Sequence, residues 1–145
     1  MSDPVVGVSR FDDLTPRRLY DLLRLRVDVF VVEQDCPYPE LDGRDTEPET
    51  EHLWVEVDGE AAATVRVLAG DGCRHIGRVA TAQAHRGRGY AARLMQEAIR
   101  RIGDEPIEIG AQAHLEAWYE RFGFVRSGED YLEDGILHLP MRREP

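Results

Sequence analysis

Residues 78–95 read RVATAQAHRGRGYAARLM, and no other stretch constrains the fold as much. It begins like a strand, passes through an arginine- and glycine-rich turn, and ends in a helical pattern. Ala91, Leu94, Met95, Ala98 and Ile102 share one face of that helix. A strand that ends in a glycine turn and opens into a helix gathers backbone N–H groups in one concave spot. The first four N–H groups of a helix lack internal partners, and its dipole adds about half a positive charge there. Gly87 and Gly89 let an anion approach the backbone closely, while Arg86 and Arg88 add charge. A pyrophosphate suits such a cradle; a plain solvated turn is the alternative that the motif alone leaves open. The missing GK[ST] excludes a Walker-type loop, and the glycine spacing is wrong for a dinucleotide fingerprint.

The rest of the chain supplies an α+β pattern. Residues 5–9 are β-rich, and Thr15-Pro16 is an N-cap followed by proline at the first helical position. Leu19, Leu22, Leu23, Arg26, Val27 and Phe30 then recur at helical spacing, so a helix is expected over 16–30. Residues 33–51 are irregular and acidic, with three prolines. In a compact domain a loop of this length is usually functional. Within it Asp42, Asp45, Glu47 and Glu49 read as a solvated loop, with attraction of a cation as the alternative. Residues 52–57 and 61–68 flank Asp58-Gly59 and form a hairpin. Further strands are expected at 75–82, 106–112, 124–127 and 138–141, with a short helix over 115–122 stopped by Gly123. The order is β, α, irregular, βββ, α, β, α, ββ, in one domain spanning 1–145.

The 145 residues are 42% hydrophobic, enough for a core of this kind. No run approaches the ~18 apolar residues needed to span a bilayer, and the N-terminus lacks a signal-peptide pattern; no membrane association and a cytoplasmic location are expected. A net charge of −10 argues against a nucleic-acid partner and fits a cationic one, or simply a soluble surface. All 18 basic residues are arginine, so only arginines are available to pair with phosphates or carboxylates. Cys36 and Cys73 have no CxxC spacing and no His/Cys cluster near them in sequence, so free thiols and no metal are expected.

Arg86-Gly87-Arg88-Gly89-Tyr90-Ala91 and the downstream AWYERFGF at 117–124 resemble the coenzyme A motif and the tyrosine segment of the GCN5-related N-acetyltransferases (GNAT). The likeness covers most of the chain and is nearest to the ElaA-type branch. It is carried by LRLRVDVFVVEQDCPYPELDGRD at 23–45, His52, IGRV at 76–79, AQAHLEAWY at 111–119 and YLEDGILHLPM at 131–141. The resemblance implies a GNAT fold: a mixed sheet of about six to seven strands, about four helices, and parallel strands that splay at the cofactor site. It implies that Val79, Ala80 and Thr81 lie along the pantetheine of acetyl-CoA and that Arg86 to Ala91 surround its pyrophosphate. A backbone N–H near Val79 to Thr81 would then stabilise the oxyanion. Tyr119 matches the tyrosine that protonates the departing thiolate, against a reading as a core aromatic beside Trp118 and Phe122. Where many relatives carry asparagine on the preceding strand, this chain has Gln112, a positioning residue for cofactor or substrate.

Three residues are candidates for the general base that an amine acceptor needs: Glu33, His52 and His138. Their alternatives are a surface carboxylate and two strand-end histidines. Glu33, Gln34, Arg66 and Arg78 are assigned to substrate binding. An arginine within an apolar strand needs a carboxylate, and Glu33 or a substrate acid is the partner expected for Arg66 and Arg78. The expected activity is acetyl transfer from acetyl-CoA to a primary amine of a small molecule or peptide, directly in a ternary complex and without a metal. Two alternatives are an acyltransferase like the acyl-homoserine lactone synthases and a non-catalytic coenzyme A-binding sensor. A homodimer is compatible with either.

Overall fold

The computed structural model describes residues 3–145. Its centre is one eight-stranded sheet. The strands are β1 (Val5–Arg10), β2 (Glu51–Val57), β3 (Glu60–Ala69), β4 (Arg74–Thr81), β5 (Ile107–Gln112), β6 (Val125–Arg126), β7 (Tyr131–Glu133) and β8 (Ile136–Arg143). Their order across the sheet is β1-β2-β3-β4-β5-β8-β6, and β7 pairs with β8. Among these pairings β4–β5 alone is parallel. Three α-helices accompany the sheet: α1 (Pro16–Val27), α2 (Tyr90–Ile102) and α3 (Glu116–Glu120).

Local chemistry accounts for most boundaries. The Thr15 side chain accepts the Arg18 N–H at 3.1 Å and caps α1. No glycine or proline follows Val27 until Pro37, and the helix runs on as a wider π turn, Asp28–Glu33. This extension carries Glu33 out to the mouth of the fold, three residues beyond the expected helix end. Asp58 and Gly59 both take positive φ, 51° and 84°, as a two-residue hairpin requires. Asp134 and Gly135 do the same between β7 and β8. That second hairpin supplies the eighth strand, which the alternation of residues 131–133 alone is too short to declare.

β3 is buried along nearly its whole length and touches both long helices. Leu22, Leu25 and Val29 pack with Ala61 and Ala80 in one cluster. Leu94, Met95 and Ala98 of α2 enter a larger one with Val65, Ile107 and Met141. Small residues in the Ala61–Ala63 run let helices approach the strand closely.

β4 carries a bulge. Gly77 pairs with Arg66 and Ala80 with Thr64, so Arg78 and Val79 together face the single residue Val65. Arg78 takes φ +51°, a left-handed conformation that a long side chain rarely adopts and that costs about 1–3 kcal/mol. The bulge lies in the part of β4 that is not paired with β5.

Candidate active site

β4 and β5 are in register only at Arg74–Ile107 and His75–Glu108. Beyond His75 they splay, and a cleft of about 1050 Å³ opens between them. One wall is β4 from His75 to Thr81 with the glycine turn; the other is Glu108 to Gln112 of β5. Phe30, Glu33 and Gln34 from the π turn border it, as do Tyr131 and His138 from the β7–β8 hairpin and Trp118 and Tyr119 from α3. The edge of β4 from Ile76 to Thr81 therefore faces the cleft without a strand partner. Val79, Ala80 and Thr81 are on this edge.

The glycine turn lies at the same opening. Gly87 and Gly89 have φ of +78° and +77°, which glycine alone adopts without strain. A Cβ placed on either would meet nothing within 4 Å, so the backbone there is open to a ligand. Gly89 is the N-cap of α2 and provides no side-chain cap, which leaves the first N–H groups of that 13-residue helix for an anion. Tyr90 and Ala91 open the helix and border the cleft. Arg88 is exposed and makes no hydrogen bond or ion pair among the described residues. Arg86 is engaged: its Nε donates to the Thr81 carbonyl at 3.1 Å, and its terminal nitrogens donate to both Glu33 carboxylate oxygens at 2.7 and 2.6 Å. These bonds hold the Glu33 carboxyl below its ordinary range.

Tyr119 is 7% exposed and sits edge-on between Trp118 and Phe124. Its hydroxyl makes no hydrogen bond among the described residues, and burial pushes its pKa up to about 12. It is therefore a neutral O–H, ready to donate. His138, opposite Gln112 across β5 and β8, is also buried and borders the cleft. Its Nδ1 is 2.8 Å from the Ile136 carbonyl, a group that only accepts. The proton thus belongs on Nδ1, and Nε2 keeps its lone pair. Glu133 Oε2 lies 3.8 Å from Nε2, and Tyr131 stacks on the ring. The Gln112 amide donates to Gln34 Oε1 at 3.3 Å and links β5 to the π turn.

Other sequence candidates sit elsewhere. His52 is 2% exposed in β2 and outside the cleft lining; its Nε2 meets the Asp45 carbonyl at 3.1 Å. Burial lowers its pKa. Arg66 is also behind the cleft wall. The expected pairing of Arg66 and Arg78 with Glu33 is corrected: Arg66 binds Asp42 at 2.9 Å and Asp45 at 3.1 Å, and Arg78 binds Glu40 at 2.9 Å. Arg26 completes the cluster, with Glu40 and Asp45 each at 2.7 Å. Three arginines meet three carboxylates. The acidic loop is therefore not simply solvated; Asp42 and Asp45 are consumed as internal counter-ions, and Glu47 pairs with Arg44. Arg78 borders the cleft while its guanidinium, over the Tyr38 ring, is held by this loop.

Both cysteines are free thiols. His75, two residues along the chain, has its Nε2 3.6 Å from the Cys73 sulfur, and the strand pairing adds Glu108: the sulfur, a His75 ring nitrogen and a Glu108 oxygen lie within 4.8 Å of one another. Glu108 is already paired with Arg142 at 2.7 Å, and burial, then the Glu108 charge, raises the Cys73 pKa, so its proton is retained.

The family profile for the acetyltransferase (GNAT) domain matches residues 21–145. The chain belongs to the GNAT family. A UPF0039 protein of Mycobacterium tuberculosis is 52% identical over 136 residues, covering 90% of this chain and 87% of that protein. ElaA of Escherichia coli is 40% identical over 139 residues, 91% of each chain. The crystal structure of an acyl-CoA N-acyltransferase from Pseudomonas aeruginosa superposes with a TM-score of 0.92 at 44% identity, covering 97% of this chain and 99% of that one. E. coli ElaA gives the same TM-score at 37% identity, covering 98% and 100%. The fold is thus that of GNAT acyltransferases, of the ElaA kind.

Several residues of this GNAT cleft escape a linear reading. Glu40 and Arg26 hold the loop that frames it, and Tyr131 and Glu133 come from the hairpin. Arg26 did leave a signal, a charge at a stripe position of α1 between Leu22 and Phe30. The Asp-Gly pair at 134–135, flanked by YLE and ILHL, is likewise a hairpin signal. Among the described residues no helix is long and apolar enough to cross a membrane.

Proposed function

We propose that this GNAT protein transfers an acetyl group from acetyl-CoA to a primary amine of a small molecule or peptide, directly between the two bound substrates. The observation that carries the reading is the hydroxyl of the buried Tyr119, unpartnered among the described residues, set beside a cleft between splayed strands with an uncapped helix N-terminus at its opening. The donor fits this cleft by its chemistry: open backbone at Gly87 and Gly89, with Arg86 and Arg88 beside it, receives a diphosphate, and the free edge of β4 receives an amide-bearing arm. The similarity to an acyl-CoA N-acyltransferase supports the same donor class.

A lysine-like amine is mostly protonated at neutral pH, with a pKa near ~10.4, and must lose a proton to attack. His138 Nε2 has the lone pair to take it, directly or through water, and Glu133 stands by to stabilise the imidazolium. Attack forms the new C–N bond while the thioester C–S bond breaks. Backbone N–H groups at Val79–Thr81 would offset the charge that develops on the carbonyl oxygen. The Tyr119 O–H donates to the departing sulfur; a phenol held near 12 stays protonated until that thiolate appears. The test is acetyl-CoA consumption against a panel of amines, polyamines, amino acids and peptide N-termini, with products identified by mass. Acetylated amine supports the reading. Coenzyme A binding without turnover of any amine would favour a binding module instead.

A further inference from the structure

Arg86 already holds an anion. Its terminal nitrogens grip Glu33 through two parallel bonds of 2.7 and 2.6 Å, the geometry with which a guanidinium also grips a phosphate. Its Nε bond to Thr81 ties the same side chain to the unpaired end of β4, so Arg86 remains at the glycine turn whichever anion it holds. Both partners are about two-fifths exposed, 40% and 41%, and exposed ion pairs of this kind contribute little. A diphosphate at the same place would gain more. It has several acceptor oxygens and higher charge, and the free N–H groups of α2 and the unengaged Arg88 are beside it. Glu33 also borders the cleft, at the end of the π turn.

Resting on the proposed acyl-CoA reading, we propose that Glu33 is a placeholder for the donor's phosphate: the diphosphate takes Arg86 from Glu33, and the released carboxylate then holds the ammonium of the acceptor. The exchange balances charge at each step. The Arg86–Glu33 pair becomes an Arg86–phosphate pair, and Glu33 loses one cation as the acceptor supplies another. The acceptor site is therefore complete only with the donor in place, and it selects alkyl amines that are cationic at neutral pH over neutral aryl amines.

Calorimetric titration with coenzyme A tests the exchange in the wild type, Glu33→Gln, Arg86→Gln and the double variant. Removing the placeholder should tighten coenzyme A binding about two- to fivefold, the range an exposed ion pair supports. Glu33→Ala should behave the same way, which separates loss of the ion pair from any new contact made by glutamine. In the Arg86→Gln background the gain should vanish, a coupling that an independent structural role for Glu33 would not produce. Equal or weaker binding by Glu33→Gln, or an unchanged gain without Arg86, would overturn the exchange while leaving the acyl-CoA reading intact. A wild type that does not bind coenzyme A would overturn both.

Discussion

Two sets of arginines flank the same cleft and do opposite work. Arg26 and Arg66 are buried and Arg78 is partly buried at the cleft wall, each with a carboxylate from the 40–45 loop within 2.7 to 2.9 Å. Arg86 and Arg88 are exposed at the glycine turn, one holding a single exchangeable carboxylate and the other none among the described residues. Burial makes the difference. A charge taken out of water needs permanent partners, so the first set is spent on fixing the loop and on holding the left-handed Arg78 at the β4 bulge. A charge left in water can change partners at little cost, so the second set remains available to a ligand.

The sharpest test of this contrast is Arg26→Met. It leaves Glu40 and Asp45 buried without that counter-ion and should destabilise the fold by about 3–5 kcal/mol in urea unfolding. A loss below 1 kcal/mol would show that the buried cluster is dispensable. Next in size, Tyr119→Phe separates chemistry from binding at either set of arginines. It should lower kcat about a hundredfold, the lower range for a lost general acid, with coenzyme A affinity unchanged by calorimetry. Unaltered kcat would return Tyr119 to the role of a core aromatic. Arg86→Gln should raise the acetyl-CoA KM about tenfold, the loss expected for a charge-assisted hydrogen bond, and leave unfolding within about 0.5 kcal/mol of wild type. Equal damage to KM and stability would erase the distinction between the two sets.

A further effect is set by pH. Burial pushes the Asp42 carboxyl up, but bonds from Arg66 and the Arg44 N–H pull it further down, to about 2. Asp45 is likewise lowered on balance: burial raises it and Arg26 outweighs that. Folded-state values below the unfolded 3.8 mean that the stabilisation is present above about pH 4. It is lost as the pH falls from there toward 2. Urea unfolding from pH 7 to pH 2 should show this decline, and Asp42→Asn should flatten it. A decline that begins at pH 6 instead would implicate other groups.

Much of this was legible in the chain. Strand, glycine turn and helix at 78–95 depend on neighbouring residues, and so do the Thr15 cap and the Asp58-Gly59 turn. Each appears where local chemistry puts it. Two expectations differ from the structure for one reason. Sequence makes Glu33 or a substrate acid the expected partner of Arg66 and Arg78 and the 42–49 loop a solvated one, whereas Glu40, Asp42 and Asp45 take those arginines. In each, the partner lies on another element, and only the sheet register and the loop path bring it close.

Caps, turns and periodicity act over a few residues, so sequence alone yields most of the elements in their order and the glycine that opens α2, but not the short β7 or the π turn after α1. Tertiary structure decided which charges are spent and which stay free. It put Glu40, Asp42 and Asp45 on the buried arginines, took His52 out of the cleft, brought His138 into it and set Glu33 on Arg86. Burial and distance across the sheet govern those choices, and neither is a property of adjacent residues.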